Sequence, residues 1–310
     1  MRILVTGATG FVGTAFVAAV AEEGRHTVRA VARHTSSALR PGVERVTADL
    51  AEGTNWASAL DGVEANIHLA ARVHLMRDLA ANPLAEFRRV NVDGTIALAS
   101  QAAAAGVRRF VYLSSVKVNG ESGTYSEDDA PAPADAYGIS KHEAEIGLRR
   151  IAAATKMEAV IIRPPLVYGP GVRANFQQLM RAVALGIPLP LGAVHNLRSL
   201  IGVDNLVDFM LTCLEHPAAA GETFLVSDGE DLSTTDLVRR IARAMNRSAR
   251  LVPVPASALL AAAALIGRRD AARRVLGTLR VDITKARRRL AWTPPVIVDE
   301  GLRRTVVALR

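Results

Sequence analysis

The chain opens on a short apolar run, Ile3–Thr6, that passes directly into Thr6-Gly7-Ala8-Thr9-Gly10-Phe11-Val12-Gly13 and then into the alanine-rich stretch Thr14–Glu23. No other feature limits the fold as tightly. The run reads as a strand, the alanine-rich stretch as a helix, and the glycines make the connection a tight turn. Glycine has no Cβ, so the backbone can turn sharply and an anionic group can approach it closely. The free N–H groups at the start of the helix, with their partial positive charge, point at the same place. Gly7, Gly10 and Gly13, with Phe11 and Val12 in the first helical turn, are therefore the expected cradle of a pyrophosphate.

The theme repeats along the first half. Apolar runs at Thr27–Ala32, Val43–Thr47, Ala65–Leu69, Phe110–Leu113 and Ala159–Ile162 alternate with helical stretches near Asn55–Leu60, Leu84–Ala105 and Tyr137–Ala154. Strands that alternate with helices form a parallel sheet covered on both faces, and right-handed crossovers make it an α/β, doubly wound, parallel sheet. After Arg163 the texture changes. Prolines and glycines crowd residues 164–171 and 186–192, helices are expected near Asn175–Leu185 and Leu206–Glu215, a strand at Thr223–Ser227, and the last third is helical and arginine-rich. The expected organisation is a dinucleotide-binding domain over residues 1–165, joined again by a later segment at about 198–228, and a smaller, mostly helical substrate domain over residues 166–310.

Composition narrows the function. Half of the 310 residues are hydrophobic, which supports a sizeable core and excludes disorder as the main theme. A net charge of +8 suits an anionic ligand, and equally a nucleic acid or a membrane surface. With 4% aromatics and no recognisable motif, the nucleic-acid reading is poor. The longest apolar stretch, Ala256–Ile266, is too short for a membrane span of about 20 residues and reads as a buried or amphipathic helix in preference to a membrane attachment. Cys213 is the only cysteine, which excludes an intrachain disulfide and a cysteine-based zinc site and fits a cytoplasmic setting. The N-terminus reads as a strand entering a turn rather than as a secretory leader. His142-Glu143-Ala144-Glu145 lacks the second histidine of a helical zinc motif, so no metal is expected.

Chemistry concentrates at Tyr137-Gly-Ile-Ser-Lys141, whose ends share one helix face. An ammonium beside a phenol favours the phenolate, lowers its pKa and lets it exchange a proton near neutral pH. Some twenty residues upstream, Phe110–Leu113 ends in Ser114-Ser115. The GxxGxxG spacing, this serine pair and YxxxK occur together with His68-Leu69-Ala70-Ala71, Val90-Asn91-Val-Asp-Gly-Thr95 and Arg163-Pro-Pro-Leu-Val-Tyr168-Gly-Pro-Gly171. The set resembles the extended short-chain dehydrogenase/reductases, the NAD(P)-dependent nucleotide-sugar epimerase/dehydratase family, and spans the chain.

The resemblance implies a Rossmann-type fold, a nicotinamide dinucleotide, a UDP-sugar substrate and a catalytic set of Ser115, Tyr137 and Lys141. Tyr137 would protonate the alkoxide formed at a reduced ketone, Ser115 would hydrogen-bond the same oxygen, and Lys141 would hold the cofactor ribose. By position Ser115 rather than Ser114 matches the catalytic serine. Further cofactor contacts are implied at Asp49, Leu50, Leu69, Ala70, Ala71, Asn91 and Pro164. Substrate contacts are implied at Lys117, Asn175, Arg198 and one of Arg268, Arg269, Arg273 or Arg274, with Arg274 taken as the representative. The helices Leu84–Ala105 and Tyr137–Ala154 would pair two copies into a homodimer.

Members selective for NAD carry an acidic residue at the end of the second strand. In this chain the slot holds Ala32, followed by Arg33, so NADP(H) is favoured and NAD(H) remains possible. The stretch Ser114–Asn119 holds no carboxylate, which disfavours a 4,6-dehydratase. Three readings remain. The segments Ser114–Glu121, Arg163–Phe176 and Gly277–Asp282 look most like bacterial O-antigen reductases of UDP-4-keto-6-deoxy-N-acetylhexosamines, often labelled UDP-glucose 4-epimerases, and this is the favoured reading. The second is a UDP-glucose or UDP-GlcNAc 4-epimerase with tightly bound NAD. The third is an inactive NADP-sensing regulator, against which the intact Ser115, Tyr137 and Lys141 argue.

Overall fold

The computed structural model describes residues 1–33, 43–50, 53–73 and 82–309. Its strands, in chain order, are β1 (Arg2–Thr6), β2 (Thr27–Ala32), β3 (Glu44–Thr47), β4 (Ala65–His68), β5 (Arg109–Leu113), β6 (Gly123–Tyr125), β7 (Glu158–Arg163), β8 (Leu166–Tyr168), β9 (Arg198–Gly202), β10 (Thr223–Leu225), β11 (Asp231–Leu232) and β12 (Leu279–Val281). Seven of them form one sheet in the order β10-β7-β5-β4-β1-β2-β3, and every pairing in it is parallel. The α/β, doubly wound expectation holds. The chain runs outward from β1 in one direction and returns at β4 in the other, so the switch point lies between β1 and β4, where such sheets bind ligands beyond their strand ends.

Alternation along each strand divides the core. Ile3, Val5, Val111, Val160 and Ile162 face one side, where they bury Phe16 and Val20 of the helix Phe11–Glu23 and Leu206, Phe209 and Met210 of the helix Val203–Glu215. Leu4, Phe110, Tyr112 and Ile161 face the other, against Leu98 of the helix Gly94–Ala104 and Ala144 and Leu148 of the helix Ala136–Ala154. These two helices approach closely: a Cβ on Gly147 would lie 2.6 Å from Ile96.

The remainder is not only helical. Strands β11, β9, β12 and β6 form a smaller sheet, with β8 paired to β9, and the helices Ala174–Ala184, Thr234–Ala244 and Val298–Val307 build a further core around Tyr168, Phe176, Ile241 and Leu302. Of the stretch 198–228, β10 lies in the large sheet and β9 in the small one. The stretch expected as one helix over Leu84–Ala105 is interrupted. The helix Pro83–Arg88 passes into a π turn, Arg89–Asp93, before Gly94–Ala104 resumes. The helix Ala256–Leu265 is uncharged, with Ser257 its one polar side chain, and buries none of its residues, so the expectation of a buried or amphipathic helix there fails.

Candidate active site

The glycine turn has the geometry its sequence demands. Gly7 adopts φ +70°, and a Cβ there would lie 2.6 Å from the Ala70 nitrogen. A Cβ on Gly13 would lie 2.1 Å from the Gly7 carbonyl, which instead accepts from the Gly10 N–H at 2.9 Å. Gly10 caps the helix Phe11–Glu23 with no side chain, and its first turn holds no acidic residue. The helix N-terminus thus keeps its free donors for an anion. Leu69, Ala70 and Ala71 follow β4 beside this turn. Asp49 and Leu50 follow β3, with Asp49 Oδ1 accepting from the Leu50 N–H at 2.8 Å. These residues fit a dinucleotide: a cradle that any side chain would fill, beside an uncapped helix end, at the switch point.

Three contacts draw the catalytic candidates together. Lys141, 2% exposed, donates from Nζ to the Leu113 carbonyl at 2.8 Å, which ties it to the end of β5. Ser115 begins the turn Val116–Val118, and its Oγ accepts from the Lys117 N–H at 3.2 Å. That turn presses on the first turn of the Ala136–Ala154 helix: a Cβ on Gly138, next to Tyr137, would lie 2.8 Å from the Lys117 carbonyl. The helix starts where it does because Asp135 caps it, accepting from the Gly138 N–H at 2.7 Å. The half-buried Tyr137 ring rests edge-on against Phe87, with centroids 6.1 Å apart.

The two serines differ sharply. Ser114 is buried and donates to Glu145 Oε1 at 2.6 Å. Glu145 also accepts from Arg163 at 2.9 and 2.5 Å, and Arg163 reaches Asn119 Oδ1 at 3.1 Å. Ser114 is thus locked in a buried ionic network, while Ser115 is half-buried and has no such partner. Pro164 sits behind the same turn, its carbonyl accepting from the Val116 N–H at 3.0 Å.

Asn91 lies in the π turn, a one-residue bulge that aims its amide inward. Its Oδ1 accepts from the Arg72 N–H at 2.7 Å, and its Nδ2 donates to the Arg72 carbonyl at 3.0 Å and to Ser140 Oγ at 3.0 Å. Ser140 Oγ in turn donates to the Tyr137 carbonyl at 2.8 Å. Asn91 therefore clasps the loop after β4 to the helix carrying Tyr137. Nearby, His68 is held at both ring nitrogens, by Thr6 Oγ1 at 2.6 Å and Thr95 Oγ1 at 2.9 Å, and burial followed by the Lys141 charge drives its pKa down to about 3.

The substrate candidates are more dispersed. Lys117 forms ion pairs with Asp135 and with Glu121, the latter at 3.3 Å. Arg198, part-buried with its pKa lowered by burial, donates to the Gly277 carbonyl at 3.1 Å and has no carboxylate partner among the described residues. Asn175 is exposed at the start of the helix Ala174–Ala184. Arg268, Arg269, Arg273 and Arg274 are all exposed, and none donates to Ser115, Tyr137 or Lys141. Arg33 is exposed immediately after β2.

Charge corrects one expectation. Burial, with the Asp135 carboxylate second, pushes the Tyr137 phenol above its ordinary value rather than below it. Burial also brings Lys141 down to about 7, against the opposing pull of Glu145. Spacing placed the ammonium near the phenol, 5.9 Å from its ring centre, but removal of water sets the direction of the shift. A pH dependence follows. Lys141 takes up its proton more readily in the unfolded chain, where its pKa is 10.5. Its burial therefore destabilises fully below about pH 7, and the cost fades as pH rises toward 10.5. Lys141→Met is expected to raise unfolding free energy by about 1–4 kcal/mol at pH 6. Denaturant melts at pH 6 and pH 10 check this, the gain shrinking at the higher pH.

Relatives carry the same architecture. Residues 3–227 match the model of the NAD dependent epimerase/dehydratase family. The chain belongs to that family. A UDP-glucose 4-epimerase of Vibrio cholerae is 44% identical over 312 residues, covering 99% of this chain and 94% of that protein. A UDP-glucose 4-epimerase of Mycolicibacterium smegmatis is 31% identical, covering 100% and 99%. The structure of MoeE5 in complex with UDP-glucuronic acid and NAD aligns with a TM-score of 0.80 at 26% identity, covering 99% of this chain and 98% of that one. This chain is an NAD-dependent enzyme of the nucleotide-sugar epimerase/dehydratase type.

Proposed function

We propose that this family member interconverts the two C4 epimers of a UDP-sugar, with Tyr137 and Ser115 handling the proton at the C4 oxygen. The observation that carries the reading is the convergence of Ser115, Tyr137 and Lys141 at the end of β5, beside the Gly7–Gly13 cradle. The 44% relative bears the name of a UDP-glucose 4-epimerase, which supports this substrate.

The chain's own residues divide the work. Tyr137, protonated at neutral pH as any phenol is and held more firmly so by burial, gives its proton to an alkoxide at C4 and takes it back when the hydroxyl is oxidised. Ser115 donates to the same oxygen and holds it in line. Lys141, with a pKa of about 7, gains or loses its charge beside the phenol near neutral pH. Arg198, lacking a carboxylate partner among the described residues, is placed to meet the diphosphate. A nicotinamide dinucleotide held through its pyrophosphate at the cradle would supply the hydride chemistry.

A second reading, reduction of a UDP-4-keto-6-deoxy-N-acetylhexosamine by NADPH, draws on one observation. β2 ends at Ala32 with no carboxylate, and Arg33 stands exposed beside it, a guanidinium able to pair with a 2′-phosphate. Incubation with UDP-glucose and no added cofactor separates the two. Formation of UDP-galactose is the expected result. No epimer, together with stoichiometric NADPH consumption on the 4-keto sugar, would replace the first reading by the second.

A further inference from the structure

The helix Ala256–Leu265 has a surface that does not match its surroundings. Its sequence, ASALLAAAAL, carries no charge, yet none of its residues is buried. A helix whose side chains are apolar but for one serine, Ser257, belongs inside a core or against lipid. At its end Leu265 is 89% exposed and Ile266 70% exposed. Gly267, at φ +68°, then turns the chain sharply, and the helix Arg269–Leu276 returns against the first. The returning arm also buries none of its residues, and it exposes Arg268, Arg269, Arg273 and Arg274 against a single carboxylate, Asp270. The hairpin is rooted at its far end, where Asn196 Nδ2 donates to the carbonyls of Val275 at 3.1 Å and Gly277 at 2.9 Å, and Thr234 Oγ1 to Val275 at 2.7 Å.

We propose that the hairpin of residues 256–276 docks this protein onto an anionic lipid bilayer, with Leu265 and Ile266 entering the acyl boundary and the neighbouring arginines meeting lipid phosphates. Charge selects this partner. A two-fold contact between copies through the same tip would bring the arginine clusters toward one another, whereas lipid phosphates pair with guanidinium groups two bonds at a time. An apolar tip followed at once by arginines is the pattern of a segment that lies in the interface. The apolar helix has ten residues, about 15 Å long, half of the roughly 30 Å hydrocarbon thickness, so it rests in one leaflet. The docking stands independently of which sugar the active site takes.

Flotation of the full chain with phosphatidylglycerol vesicles and with phosphatidylcholine vesicles tests it. Binding to the anionic vesicles is expected to exceed binding to the zwitterionic ones by at least about tenfold and to weaken as salt is raised. Leu265→Asp combined with Ile266→Asp is expected to lower anionic-vesicle binding by at least about tenfold. Turnover of a soluble nucleotide sugar and the circular-dichroism melt should stay unchanged, because both side chains stand at the exposed tip. Absence of binding to phosphatidylglycerol by the unaltered chain, or equal binding by the double variant, would overturn the proposal. So would a dimer dissolved by the same substitutions in a chain that ignores vesicles, which would make the tip a contact between copies.

Discussion

Replacing Tyr137 by phenylalanine is expected to lower turnover by about 10²–10⁴-fold while leaving dinucleotide affinity and the melting temperature close to those of the unaltered chain. The expectation rests on how little else the hydroxyl does. The ring is positioned by its edge-on contact with Phe87 and the backbone by Ser140 Oγ on its carbonyl, and phenylalanine keeps both. What disappears is the proton that, in the proposed reaction, quenches the alkoxide. Steady-state rates beside a dinucleotide titration separate the two effects. Undiminished turnover would remove Tyr137 from the chemistry, and a parallel loss of dinucleotide binding would mean that the substitution disturbed the cradle instead.

The second large effect is on stability. Arg163→Met is expected to destabilise the chain by about 3–5 kcal/mol, because it strips the buried Glu145 carboxylate of its two closest guanidinium donors. The Arg163 side chain is 3% exposed and that of Glu145 0% exposed, with their closest atoms 2.5 Å apart. The surviving bond from Ser114 Oγ and the longer, half-exposed ion pair with Arg149 at 3.7 Å cannot replace two guanidinium donors. Glu145→Met added to Arg163→Met should restore most of the loss, since removing both charges removes the penalty of burying one. Denaturant titration of the single and double variants reads this directly. A single variant as stable as the unaltered chain would mean that water or proton uptake relieves Glu145. The pair also joins the Ala136–Ala154 helix to β7 immediately behind Ser115, so the double variant should fold yet turn over more slowly.

Much of the site is legible in the chain because its chemistry uses local spacing. Gly7, Gly10 and Gly13 are separated by two residues each, and the close approaches of Gly7 to Ala70 and of Gly13 to the Gly7 carbonyl explain why side chains are absent there. Tyr137 and Lys141 are one helical turn apart, and the strands of the large sheet announce themselves as apolar runs. The smaller sheet is illegible for the opposite reason. Its strands are two to five residues long, and β12 at Leu279 pairs with β6 at Gly123, a partnership across the chain that no period in the sequence records. The buried ion pair escapes for the same reason, since Glu145 belongs to a helix and Arg163 to the following strand. Asn91 is picked out by its motif, but the π turn that lets it clasp Arg72 and Ser140 cannot be told from an ordinary helix by pattern alone. The direction of the Tyr137 shift is hidden because spacing shows which charges are near and not how much water has been removed.

In the proposed epimerisation the hydrogen carried by C4 leaves and returns without exchange with water, while Tyr137 handles only the oxygen-bound proton. UDP-glucose deuterated at C4, turned over in ordinary water and analysed by mass spectrometry, tests it most directly. The UDP-galactose formed is expected to retain its deuterium. Loss of the label to solvent would show that the enzyme abstracts the C4 hydrogen as a proton, and would contradict the division of work among Ser115, Tyr137 and Lys141.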